Sequence, residues 1–356
     1  MHSLRKLILI FPALCLLASC STDFKVDAPY KPITVVYGLL NMADTAQYIR
    51  IQKAFLDETK NSLDMAQVGD SNYYDPKILS VHLQAWDTSG LLVQDYVLNR
   101  VDLNDEGDIY IKNSGVFSGP LNAHNYAYKY NRALNYLYHY RLVIRNSATG
   151  EVDSAETPVI LNQKSPSTYG FTCNQFAIPK LLLAFSEPGT TTPFILETNH
   201  PANSGVLEAI IRFHWVDKVG SVETPQSADM HLTLNPNIPN PPTFSPAQID
   251  IQNFLRTSVG PAPSGTVRLL DSSDIFIWAG GEELAKYVTI NNATGGLTAD
   301  QIRPIYTNMK GKNVIGLFST RTYIARYNVG PTPNSLDTLM LKPSLQSLNF
   351  QGVTEH

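Results

Sequence analysis

The chain has 356 residues, of which 43% are hydrophobic and 16% charged, with a formal net charge of −4. That is the composition of an ordinary folded protein. A mildly acidic chain without basic runs lacks the electrostatic footprint of a nucleic-acid binder, so nucleic acid is not an expected partner. The length exceeds one compact sandwich and suits two domains. The 18 tyrosines and 23 prolines lean towards β structure, with proline punctuating the loops.

Residues 1–19 read as a secretory signal: Arg5 and Lys6, then the apolar run 7–18, LILIFPALCLLA, then small residues. The run falls short of the roughly 20 residues that cross a bilayer, and Pro12 interrupts it. Leu17-Ala18-Ser19-Cys20 resembles the lipobox of bacterial lipoproteins. The resemblance implies cleavage before Cys20, a diacylglycerol on its thiol and an acyl chain such as palmitate on its new amino group. Such an anchor is held by about 0.8 kcal/mol per buried methylene, and no other cofactor is expected. Cys15 leaves with the signal and Cys20 carries lipid. Cys173 then remains as the single thiol, with no internal disulfide and a buried apolar role expected.

Residues 20–32 read as a polar tether. Strands follow in close order. ITVVYGLL (33–40) is apolar on both faces, which predicts a central strand. AQYIRIQKAF (46–55) alternates, with Ile49, Ile51 and Phe55 on one side. ILSVHLQAW (78–86) turns Leu79, Val81, Leu83 and Ala85 inward, and DTSG (87–90) predicts a hairpin into LLVQDYVL. YLYHYRLVIRN (136–146) puts Tyr136, Tyr138, Tyr140, Leu142 and Ile144 on one face, and VDSAETPVIL returns after a turn. About seven strand signals at short intervals predict an immunoglobulin-like β-sandwich over 33–163.

A larger β-rich domain with a few short helices is expected over 164–356. FILETN (194–199), LEAIIRFHWV (207–216) and ADMHLTL (228–234) predict strands. NPNIPNPPTFSP (235–246) is too proline-rich for a regular element. AQIDIQNFLRTS predicts a helix. DIFIWAGG (274–281), apolar on both faces, predicts a strand running into the helix EELAKYVTI. A further helix is expected over 298–308, and NVIGLFSTRTYIARYNV (313–329) closes as a long strand or hairpin. Gly316, inside a strand pattern, points to a bulge or the close approach of another backbone. Arg321 is expected to cap or pair with an acidic neighbour.

Few residues carry recognisable chemistry. DLNDEGDIYIKN (102–113) copies part of a calcium loop, with Asp102, Asn104, Glu106 and Asp108 as weak candidate ligands around Gly107. Asn113 stands where the loop's bidentate glutamate belongs, so an acidic hairpin turn is the competing reading. His82, His124, His139 and His214 show no zinc spacing. No G-x-S-x-G elbow occurs. In WAGGEEL, Glu282 and Glu283 favour a helix start and would repel a phosphate there. Tyr126, Tyr128 and Tyr130 are candidates for stacking on a sugar or peptide, with core packing as the competing reading. The catalytic site is read as none.

Tyr306-Thr307-Asn308-Met309, Gly311, Asn313 and Gly316-Leu317-Phe318-Ser319-Thr320-Arg321 carry a family likeness. Together with the lipobox, VVYGLLN and YRLVI…GEVDSAETPV, they resemble the uncharacterised outer-membrane lipoproteins of Bacteroidota. Those are often encoded beside TonB-dependent receptors. The resemblance implies a non-enzymatic, lipid-anchored outer-membrane protein that binds such a receptor or its nutrient. The alternatives are a stand-alone adhesin for glycan or peptide, or a hydrolase of unfamiliar type. Asp23 is the sole acid among residues 21–25, which leaves the cell-surface and periplasmic faces both open.

Overall fold

The computed structural model describes residues 33–54, 72–107, 124–160, 170–186, 193–234, 237–292 and 306–354. The signal, the tether, Cys20, Phe55 and Asp108 lie outside the described residues.

Eight strands build the first module: β1 (Ile33–Asn41), β2 (Gln47–Ala54), β3 (Leu79–Trp86), β4 (Leu92–Val97), β5 (Asn99–Asp102), β6 (Tyr126–Tyr130), β7 (His139–Asn146) and β8 (Val152–Pro158). Hydrogen bonding sorts them into β1-β2-β6-β5 and β4-β3-β7-β8. Lettered A, B, C, C′, D, E, F and G along the chain, these are the ABED and C′CFG sheets of an immunoglobulin-like sandwich. Period-two alternation does the sorting of side chains. Leu79, Val81, Leu83 and Ala85 of β3 face Ile49, Ile51, Val36 and Leu40 across one core, with Tyr140, Leu142 and Ile144 of β7 beside them. The turn between β3 and β4 forms because Asp87 Oδ1 accepts from the Ser89 and Leu91 amides.

The second module adds β9 (Leu182–Leu183), β10 (Leu196–Glu197), β11 (Ser204–Val219), β12 (Val222–Leu234), β13 (Thr243–Phe244), β14 (Val267–Gly281), β15 (Val314–Pro331) and β16 (Phe350–Val353). Its helices are α1 (Gln248–Ser258), α2 (Glu282–Asn292) and α3 (Pro333–Leu341). The long strands alternate strictly. On β11, Leu207, Ala209, Ile211, Phe213 and Trp215 point into a core covered by Ile251 and Leu255 of α1 and Leu339 of α3. Burying a side chain such as Phe213 contributes roughly 2–3 kcal/mol. Cys173 is buried in this same core.

The two cores change over between Val159 and Ile160, close to the expected boundary at 163. The sheets do not divide there. β15 pairs in parallel with β1 from Thr34–Val314 to Asn41–Arg321, so one ten-stranded sheet runs β12-β11-β14-β15-β1-β2-β6-β5, with β16 added beside β14 and β9 beside β15. Met309, Val314 and Phe318 complete the first core from the far end of the chain. The sandwich therefore does not close within 33–163. The reason is visible in β1: apolar on both faces and paired with β2 on one edge, it needs a neighbour on the other.

Gly316 makes that pairing possible. It sits opposite Val36 with φ of 138°, and a Cβ there would lie 2.7 Å from the Val36 carbonyl carbon and 2.8 Å from its nitrogen. The close approach expected from the sequence is thus that of β1. The motif around it is one hydrogen-bonded clamp. The Gly316 amide donates to Thr307 Oγ1, and Asn308 bonds both the amide and the carbonyl of Phe318. Lys310 bridges to Ser154 of β8 by two backbone bonds. Residues 306–308 are accordingly extended and not the end of a helix, while 298–305 lie outside the described residues.

Candidate functional site

The ten-stranded sheet has a second face, opposite the second core. On it stand the residues that alternation turns away from that core: Glu208, Ile210 and Arg212 of β11, Phe276 and Trp278 of β14, and Arg321 and Tyr323 of β15. They floor a trough of about 770 Å³, walled by Leu284 and Val288 of α2, by Asn41 at the end of β1 and by Asp44 after it. α2 begins at Glu282 and Glu283, as the sequence predicts, which swings it across this face directly after β14.

An aromatic strip crosses the floor. The Trp278 and Tyr323 rings are 4.6 Å apart, and Phe276 lies 6.3 Å from Tyr323 and 5.8 Å from the exposed Tyr327. Two guanidinium groups lie over it, Arg321 at 4.9 Å from the Trp278 ring and Arg212 at 5.3 Å from that of Phe276. The two arginines differ in their commitments. Arg212 donates to both oxygens of Asp229 at 2.7 and 2.8 Å, which raises its own pKa and holds the Asp229 carboxyl below its usual range. Arg321 makes no ion pair among the described residues, and its Nε is buried without a hydrogen-bond partner. Of the cap or acidic partner expected from the sequence, no acidic partner occurs among the described residues, and the guanidinium lies over the ring of Trp278. Glu208 is bonded to His231 and Thr233. Burial, then Tyr327 and Asp44, push the Tyr323 phenol above its usual pKa.

Leu39 and Arg321 also line a smaller hollow of about 200 Å³ on the same face, shared with Tyr37, Tyr48, Arg50, Leu103 and Ala127. Arg50 donates to Asn125 Oδ1 at 2.7 Å and makes no ion pair among the described residues. The rim is stiff, since Tyr48 and Lys129 both donate to Glu106 Oε2.

The stacking candidates do not form a platform. Tyr128 and Tyr130 are each 5% exposed and belong to the first core, where Tyr130 packs edge-on against Tyr96 and Tyr140. Burial is the first cause that lifts their phenols above the ordinary pKa. Tyr126 is half-buried under Arg100 and stacked on His124. Tyr128 and Tyr130 are covered because β6 lies between β2 and β5 and turns these two rings into the first core.

The two described candidate carboxylates of the calcium-like loop, Asp102 and Glu106, are spent on protein groups. Asp102 Oδ1 accepts from the Asn104 and Asn125 amides, and Oδ2 meets His124 Nδ1 at 2.6 Å. Burial opposes ionisation of Asp102, but those bonds outweigh it and lower its pKa. Glu106 points instead to Tyr48 and Lys129, and no cluster of three metal-type ligands occurs among the described residues.

A third arrangement was not foreseen. Ser80 Oγ is 2.9 Å from His82 Nε2, and His82 Nδ1 is 2.9 Å from Asp95 Oδ1, the order of nucleophile, base and orienting acid. It stands on the outer face of β3 and β4, with Ser80 exposed and the Asp95 side chain 38% exposed. Water screens such a chain, and both hollows lie on the other sheet. The geometry here is that of a hydrated surface network.

The sequence reading missed Phe276, Trp278 and Tyr323. Their signal was present: in DIFIW the aromatics alternate with Ile275 and Ile277, which assigns them to one face. What alternation does not say is whether that face is covered. Comparison with known proteins returned no matching family model and no matching curated protein.

Proposed function

We propose that this chain is a lipid-anchored cell-envelope protein of the outer membrane that acts by binding, without catalysis. Its ligand lies in the trough on the open sheet face, and its partner is a TonB-dependent receptor that imports this ligand. One observation carries the binding reading: a concave, aromatic-floored surface built on long strands, the central two of which, β11 and β14, are paired on both edges. Rigid strands hold the rings and guanidinium groups in place before a ligand arrives, which lowers the ordering cost of binding. A trough of this volume is within the range of small-ligand sites. The lipid anchor and the receptor rest on the lipobox and on the family likeness.

The test begins with the native lipoprotein, extracted in gentle detergent and its co-purifying proteins identified by mass spectrometry. A stoichiometric TonB-dependent receptor, lost together with membrane association when Cys20→Ala is expressed, is the expected result. Recovery of the lipoprotein alone refutes the subunit reading and favours the stand-alone adhesin.

A further inference from the structure

The two hollows differ in charge, and that difference points to a ligand class. The large trough holds both signs, with Asp44 and Glu208 beside Arg212 and Arg321. The small hollow has only Arg50 and Arg321 as charged lining, and neither makes an ion pair among the described residues. Arg321 Nε, moreover, is desolvated with no acceptor, a cost that an arriving anion would relieve. A guanidinium offers several donors in a planar fork that matches a carboxylate or sulfate.

The floor decides between a saccharide and a peptide. Beneath Phe276 and Trp278, β14 is paired with β11 and β15, and β11 with β12 and β14, so the backbone N–H and C=O groups there are consumed in the ladder. A peptide laid over Phe276 and Trp278 finds no main-chain partners beneath it, which an extended peptide obtains at a sheet edge. Ring faces with polar side chains around them suit the C–H faces and hydroxyls of sugar rings. Resting on the binding role above, we propose that the ligand is an oligosaccharide bearing an anionic group, a carboxylate or a sulfate. Arg50 and Arg321 take the anion in the small hollow, while the adjoining rings lie on Trp278, Tyr323 and Phe276. Leu39 and Arg321, which line both hollows, mark where the chain of sugars crosses.

The acylated full-length protein in detergent is titrated with a galacturonic-acid tetrasaccharide, a sulfated tetrasaccharide and a neutral glucose tetrasaccharide. At least one anionic sugar is expected to bind ten-fold or more tightly than the neutral one, and which of the two identifies the group. Arg321→Gln and Arg50→Gln should each weaken that binding by about ten-fold at unchanged melting temperature, as loss of a charge-assisted bond does. Trp278→Ala should weaken all sugar binding. Equal binding of the neutral sugar, untouched by the arginine variants, overturns the anion assignment and leaves the trough as a binding site. A peptide that binds wild type and not Trp278→Ala overturns the choice of saccharide. Absence of any sugar or peptide binding to folded protein overturns both this assignment and the binding role.

Discussion

Replacing Gly316 by alanine tests the joint that makes one sheet of two modules. Two costs are expected. The first is conformational: an L residue held at φ of 138° costs roughly 1–3 kcal/mol. The second is steric, since the new methyl would overlap the Val36 peptide and the strands must part there. Parting them forfeits one or two ladder hydrogen bonds at about 1 kcal/mol each. The sum is about 2–5 kcal/mol, and at roughly 0.7 kcal/mol per kelvin for a chain of this size the melting temperature falls by about 3–7 °C. Gly90→Ala is the control. Gly90 also has positive φ, at 81°, but a Cβ there meets nothing within 4 Å. It should cost only the conformational part, about 1–2 kcal/mol. Calorimetry and far-ultraviolet circular dichroism read both variants. If Gly316→Ala melts no lower than Gly90→Ala, the backbone approach of β1 to β15 does not constrain this fold and the reasoning fails.

The Asp153 side chain is buried with Oδ1 unpartnered, and burial followed by the charge of Glu151 raises its pKa. A carboxyl whose folded pKa exceeds its unfolded one favours the fold below the unfolded value and loses that contribution as pH rises through the folded value. Asp153→Asn should therefore stabilise the protein by about 1 kcal/mol at pH 7, with the gain shrinking towards pH 4; a pH-independent effect in denaturant titrations would contradict this. Cys173 is 6% exposed and burial raises its thiol pKa, so it should resist a disulfide reagent at pH 8 until guanidinium is added. Rapid labelling of the native protein would show that the second core opens readily there. Ser80 is expected to ignore an active-site fluorophosphonate; covalent labelling that Ser80→Ala or His82→Ala abolishes would make the Ser80–His82–Asp95 chain a working nucleophile and sink the non-enzymatic reading.

Much of the local structure was legible in the residues themselves. Strands such as Leu79–Trp86 declare their inner face by alternation alone, because successive side chains of an extended chain point to opposite sides. Helix α2 was marked by two glutamates in its first turn, which complement the positive end of the helix. Gly316 announced a close backbone approach, though not whose. The sandwich, its strand spacing and the burial of Cys173 follow from short-range pattern of the same kind.

The partner of each strand was decided elsewhere. Nothing local in Thr34–Asn41 names Val314–Arg321 as its neighbour, since parallel pairing depends on backbone groups that every residue carries alike. Covering is equally non-local. Tyr128 and Tyr130, which the sequence leaves between core packing and ligand stacking, lie under another sheet, whereas Phe276 and Trp278, on a strand that reads as apolar on both faces, face an open trough. A side chain's direction is a property of its own residue and the next. Whether anything stands in that direction belongs to segments far along the chain, and the site here, with floor and walls drawn from β1, β11, β12, β14, β15 and α2, exists only once those segments have met.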